Sequence, residues 1–460
     1  MRIERVDVTR ASAARARVAR RLGPVPRMGV LALIAGSLLV AALPASAVRQ
    51  PPKNVPITRR NPPSHANHAA SLFRHPERPK ILAAAYEEGS QYKFCGFAQS
   101  KNGGRSWVAK PLVGDGGMVP MPDGHMNCFS PSVVIDSTGT VYYAFGAAQE
   151  PFGWWSSFVT ISHDGGKTFS KPVLLNSPAE HEYLPSLAVD QHNGIVYATW
   201  SHWGCAVQNV CGHDPSVLLA KSTDGASFST PTSIAPITDG YIQQPVPVVG
   251  PQSELYVGWL QFAAGLHVIK VASSDDHGDT FSSPGVVTMM SPRIRDPYYY
   301  YFDLATGSRS GHVYATWWDR PGETFKVFFA ASSDGGRTWT AGREIATTDE
   351  AHDQVRPGVS VATSGRIDIV YYDVSPDHEQ NLYWTFSRDG GETFSEPRRV
   401  TKVASRATIG PVPQGSARAS FGRRLGVVRS GNDLLATWTD SRRGTDTTGH
   451  QDVYFARLRP

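Results

Sequence analysis

One short pattern recurs six times along this chain and dictates what it can become. Each copy reads Ser, any residue, Asp or Asn, a Gly-containing turn, Ser or Thr, and an aromatic. The copies are SKNGGRSW from Ser100, SHDGGKTF from Ser162, STDGASF from Ser222, SDDHGDTF from Ser274, SDGGRTW from Ser333 (Ser332 in the leading place) and SRDGGETF from Ser387. Their central residues, Asn102, Asp164, Asp224, Asp276, Asp334 and Asp389, lie 62, 60, 52, 58 and 55 residues apart. Self-similarity at a near-fixed period means a repeat architecture. Within a copy the Asp or Asn accepts hydrogen bonds from its own turn, Gly supplies positive φ, and the aromatic tucks beneath. The expected role is a staple for a hairpin. A catalytic or calcium-binding role fits poorly, because six equally spaced carboxylates have no common substrate to face.

Strand patterns flank every copy. An alternating apolar segment precedes it, as in FVTIS, SVLLAKS, LHVIKVASS, KVFFAASS and NLYWTFS. Before that lies another, with VYATW at Val196 to Trp200 and again at Val313 to Trp317, and LYVGW, IVYYD and LLATW as variants. Earlier still a third runs into a tight turn, as in PSVVIDSTGT and PSLAVDQHNG. With the segment after each copy this makes four strands per unit, in the period-2 pattern of half-buried sheet. Four-stranded sheets in series predict an all-β chain folded as a β-propeller. The VYATW-type strand occurs seven times, near Ile81, Val141, Val196, Leu255, Val313, Ile369 and Leu434. The last unit, ending QDVYFARLRP, lacks its fourth strand, and an open edge invites aggregation. The segment from Val55 to Arg59 is expected to fill it. The reading is seven antiparallel blades of about 59 residues each; six blades and one aberrant unit form the alternative.

Charge divides the chain. The whole carries +5 over 460 residues, but residues 1–47 hold eight Arg against one Asp and one Glu, so residues 48–460 sum to about −1. A basic leader on a neutral body argues against a nucleic-acid partner. Arg-rich sequence to Arg27, a 16-residue apolar run from Met28 to Leu43, and small residues at Ala45 and Ala47 fit a cleaved signal peptide. The run falls short of the roughly 20 residues that span a bilayer; an uncleaved anchor is the alternative. Arg20-Arg21 only weakly matches a twin-Arg signal. The expectation is therefore a secreted monomer, one propeller domain over 48–460, with no membrane contact beyond the leader. Four Cys in an exported chain suggest two disulfides, Cys205 to Cys211 within one loop and Cys95 to Cys128. No C-x-x-C pair points to a metal, and no cofactor motif is present.

The six copies resemble the Asp boxes, or BNR repeats, of sialidase-type propellers, and the resemblance covers essentially all of residues 48–460. The motif also occurs in xyloglucanases, sortilin-like receptors and photosystem assembly factors, so function rests on the site. The resemblance implies an active site on the face opposite the boxes. There lie the second-to-third-strand loops and the blade crossings, among them PMPDGHMNCFSP, PAEHEYLP, HWGCAVQNVCGHD, SPRIRDPYYYYFD and EAHDQVRP. Aligning the inner strands places Ser130, Leu184, Gln244, Tyr301, Arg356 and Arg424 at the channel mouth, with His68 the rough counterpart in blade 1. Two guanidiniums beside a phenol suit a carboxylate grip and a Tyr nucleophile, which sialidases use. Tyr301 is thus the candidate nucleophile, and Arg356 and Arg424 the candidate substrate-binding pair. Arg295, Glu182 and Asp353 are candidates by location for the third Arg, the partner of Tyr301 and the acid/base. No Arg-Ile-Pro motif occurs between Val48 and Ser100; Arg293-Ile294 runs into Arg295. Trp154, Trp155 and Trp203 on this face are candidates for stacking on sugar rings. The expected ligand is a carbohydrate or glycoprotein. Three readings stay open: an exo-α-sialidase-type glycoside hydrolase, a non-catalytic glycan- or protein-binding propeller, and a xyloglucanase-like endo-glucanase with two facing carboxylates.

Overall fold

The computed structural model describes residues 50–58, 66–88, 94–109, 119–122, 124–149, 154–175, 182–202, 215–237, 240–263, 265–290, 301–345, 349–411, 421–422 and 424–460. The leader, Arg59, Arg295 and the Cys205–Cys211 loop lie outside them. Seven antiparallel sheets make up the described chain, and no helix occurs in it. Inner strands begin the blades at Asn67–Arg74, His125–Ile135, Glu182–Asp190, Tyr241–Val249, Phe302–Thr306, Asp353–Val361 and Gly426–Ser430. Each packs beside the next, and the seventh packs back on the first. This is a seven-bladed β-propeller. Blade 7 has three C-terminal strands, and its outer position is taken by Val55–Pro56, antiparallel to Asp452–Leu458 with Val55 opposite Phe455. Thr58, fully buried, adds a hydroxyl bond to Asp452 at 3.0 Å and accepts from the Val453 amide at 3.0 Å.

A single layer of aromatics explains why these sheets pack as wedges. The second strand of every blade carries one at the same register: Tyr86, Phe145, Trp200, Trp259, Trp317, Tyr371 and Trp438. None is more than 2% exposed. Burying each such ring is worth about 1.5–3 kcal/mol, so the repeat of VYATW-like sequence is a repeat of blade-to-blade anchors.

The boxes do more than staple their own hairpins. In the second box the Ser162 hydroxyl donates to Asp164 at 2.8 Å and accepts from the Gly166 amide at 2.7 Å, while Asp164 also accepts from the Lys167 and Thr168 amides. Such donors hold these exposed carboxyls well below the usual range; for Asp334 the Thr338 hydroxyl and amide bring it to about 2. Asn102 does the same work uncharged, accepting from the Ser106 amide at 3.0 Å. The box then leans on the preceding blade. Phe169 packs edge-on to Phe97, Phe394 to Phe329, and Trp107 lies against Phe455. Gly166 has φ +83, and a Cβ there would sit 2.3 Å from the Phe97 ring. Gly is required at that point for close approach as well as for the turn. Cys95 and Cys128 form a disulfide between blades 1 and 2, with Cα atoms 5.2 Å apart.

Candidate functional site

The boxes share one end of the ring with the first-to-second-strand turns. Gly103 donates its amide to the Lys80 carbonyl at 2.8 Å, and Gly335 to that of Gly311 at 2.9 Å. The opposite end carries the crossings into each inner strand. Ser130, Leu184, Gln244 and Arg356 stand there in the left-handed region, with φ of 46, 59, 56 and 53°. Pro131, Pro185, Pro245 and Pro357 follow them, and the strand register shifts at each point. A bulge in an inner strand suits Pro, because no further strand pairs with the channel-side edge. Non-Gly residues at positive φ cost about 1–3 kcal/mol each and gather at functional sites. Tyr301 and Arg424 open the inner strands of blades 5 and 7, so Tyr301, Arg356 and Arg424 do come from consecutive blades.

Two residues further in, Ser71, Ser132, Ser186, Val246, Asp303, Gly358 and Gly426 form one layer of the channel lining. In blades 1, 2 and 5 the side chain at this level caps an amide of the next blade's inner strand, which no sheet partner satisfies. Ser71 accepts from Val133 at 3.2 Å, Ser132 from Leu187 at 3.1 Å, and Asp303 from Val359 at 2.9 Å. Blade 5 thus uses a carboxyl where blades 1 and 2 use a hydroxyl. Burial raises the Asp303 carboxyl to about 6, opposed by the Val359 amide and by the charge of Arg424.

Arg424 belongs to the same cluster. Its Nη1 donates to Ser186 at 2.9 Å and its Nη2 to the Pro245 carbonyl at 3.2 Å. Blades 3 and 4 are the farthest from blade 7 in the ring, so this side chain bridges the channel. Arg356 lies near Tyr372, whose burial-raised phenol it pulls back down. Tyr372 in turn donates to the Thr439 carbonyl and accepts from the Thr439 amide, both at 2.9 Å. Tyr301 is 4% exposed. Asp353 accepts the Phe325 amide at 2.8 Å and thereby ties blade 6 to blade 5. Glu182 pairs through its backbone with His202; its side chain, like that of Trp154 and like Trp203 as a whole, lies outside the described residues. Trp155 packs edge-on against Phe129 at 4.2 Å, a contact between two strands of blade 2.

Two groups at this end escaped the sequence reading, and a third, Gln244, was placed at the mouth without its burial being legible. Asp303 stands out only when inner strands are aligned two residues past the mouth position. His352 and Asp373 pair at 2.7 Å across strands of one blade. Gln244 is 2% exposed, and neither atom of its amide has a hydrogen-bond partner among the described residues. Among those residues no three His, Cys, Asp or Glu are grouped to hold a metal ion.

No protein-family model matches the chain, and no curated protein sequence matches it. Solved structures match it in fold. A Hadza microbial sialidase aligns over 82% of this chain and 73% of its own, with 14% identity and a TM-score of 0.50. An ulvan lyase bound to -[GlcA(1-4)Rha3S]- aligns over 86% and 95%, with 14% identity and a TM-score of 0.53. At such identity the likeness is one of architecture.

Proposed function

We propose that this chain is an exported, glycan-acting propeller that takes an acidic sugar at the channel mouth and hydrolyses its glycosidic bond, as an exo-α-sialidase-type enzyme does. The observation carrying this reading is the bridge by Arg424, which sets a guanidinium beside the raised carboxyl of Asp303 on the face opposite the boxes. A fixed cation suits a sugar carboxylate, and a carboxyl near 6 is poised to give a proton to a leaving oxygen. Arg356 is the second cation of the grip, with Arg295 as a third by position. Tyr301 takes the nucleophile's role in the sialidase resemblance, with Glu182 or Asp353 as its partner. Support comes also from the similar folds, one named a sialidase and one bound to a uronate-containing glycan. The Cys95–Cys128 bond fits an oxidising compartment outside the cytoplasm.

A second reading, a binding propeller without turnover, is favoured by the burial of Tyr301 and by the Asp353–Phe325 bond. One experiment separates them: hydrolysis of an aryl sialoside, and equilibrium binding of sialic acid and of a glucuronate disaccharide, by wild type and Arg356→Ala. Turnover that Arg356→Ala loses supports the hydrolase. Binding without turnover, weakened by the same change, selects the binding module. Neither binding nor turnover sinks the acidic-sugar reading.

A further inference from the structure

The seventh residue of each second strand, counted from the box end, reaches the mouth face. In blades 5, 6 and 7 that residue is Asp319, Asp373 and Asp440. Two of the three are engaged by their own loops. Asp319 accepts from the amide of Arg320 at 2.6 Å, and Asp440 takes the Trp438 indole and the Arg442 guanidinium. Asp373 instead meets His352, from the crossing that enters blade 6. Its Oδ1 lies 2.7 Å from His352 Nδ1, and its side chain is 4% exposed against 26% for the imidazole. The crossing is well held there: Phe325 donates to Asp353, Gln354 donates to the Phe325 carbonyl at 2.8 Å, and His352 donates its amide to the Asp349 carbonyl at 3.1 Å.

A buried carboxylate accepting Nδ1–H fixes the tautomer with its lone pair on Nε2, and it steadies the imidazolium if that nitrogen takes a proton. Nε2 lies 3.9 Å from the exposed Asp349 carboxylate, on a ring that is itself partly exposed. That is the geometry of a proton acceptor rather than of a core histidine, whose two nitrogens are both satisfied. Arg356 follows four residues later, in the strand that begins at Asp353, a span of at most roughly 13 Å along the backbone. A short glycan gripped at Arg356 is long enough to reach His352.

We propose that His352, held by Asp373, is the proton-transfer residue of the mouth. This rests on the glycan-hydrolase reading and replaces the buried Tyr301 with water as nucleophile. The water oxygen bonds to the anomeric carbon while its proton passes to His352 Nε2. The glycosidic C–O bond breaks, both electrons go to the leaving oxygen, and that oxygen takes the proton of the Asp303 carboxyl, which solvent then restores. The imidazolium then returns its proton to water. Among the described residues the charged groups facing the ring are Asp373 and Asp349; Lys326, which opens the third strand of blade 5, pairs with Glu350 of the adjoining crossing at 3.0 Å.

The test is the pH profile of aryl-glycoside hydrolysis by wild type, His352→Ala and Asp373→Asn, with thermal unfolding as the control for folding. His352→Ala should lower kcat by about 10²–10⁴-fold with KM little changed. It should also lose the acid limb of the profile and recover rate with added imidazole, which a structural role would not give. Asp373→Asn should lower kcat with a shifted acid limb. Wild-type turnover that His352→Ala retains, or a loss that imidazole fails to rescue, overturns this proposal and leaves the hydrolase reading standing. Absence of wild-type turnover overturns both.

Discussion

Arg424 Nη1 donates to the hydroxyl of Ser186, 2.9 Å away and 238 residues earlier in the chain. The bond joins blade 7 to blade 3 through the channel, so it couples parts of the ring that share no sheet. A charged donor with a neutral acceptor is worth about 1.5–3 kcal/mol when desolvated. A double-mutant cycle with Arg424→Met and Ser186→Ala, read by urea unfolding, should therefore give a coupling of about 1–2 kcal/mol. Strict additivity of the two changes would show that the bridge is absent in solution.

Asp303 should make stability depend on pH in a definite direction. Its carboxyl is raised to about 6 in the folded chain, above the ordinary carboxylate value near 3.9 in an unfolded one. Between those values the folded state binds the extra proton, so stability falls as pH rises from about 4 to 6. The full effect is at most about 3 kcal/mol. Asp303→Asn keeps an acceptor for the Val359 amide and should flatten this part of the profile. An unchanged slope in that variant would mean that Asp303 titrates normally.

The Cys95–Cys128 bond spans 33 residues and ties the third strand of blade 1 to the inner strand of blade 2. Removing it with the pair Cys95→Ala and Cys128→Ala should cost about 2–4 kcal/mol. The loss is measurable as a lower unfolding midpoint under non-reducing conditions, and reductant should bring wild type down to the same value.

Gln354 is fully buried, and neither atom of its amide has a hydrogen-bond partner among the described residues. Leaving a polar group in that state costs about 1–3 kcal/mol. Gln354→Met, close in volume, should raise the unfolding midpoint. A fall instead would reveal a partner that the amide finds in solution.

How legible was all this in the residues? The ring was, because Asp164 and its counterparts recur at one period and because Trp200 and Trp317 sit in identical five-residue strands. The line-up at the mouth was also readable, since Ser130, Leu184, Gln244 and Arg356 fall at one place when the inner strands are aligned. The chemistry was harder to see. Asp303 looks like any strand residue until the register shows it at the level of Ser71 and Ser132. His352 and Asp373 are 21 residues apart, and only the pairing of Gln354 with Asp373 brings them together. Arg424 was legible as a mouth residue but its reach across the channel was not, because side-chain direction is decided by what fills the ring.

Val55 lies opposite Phe455 in the one sheet built from both ends of the described chain. Six blades can form in the order in which they are made, each resting on the one before. The seventh cannot, since its outer strand comes early in the chain and its partner comes last. That sheet therefore cannot form until Asp452–Leu458 has been made, and a chain halted short of Asp452 keeps an unpaired seam. Until that strand emerges, the unfinished ring must be kept from other chains.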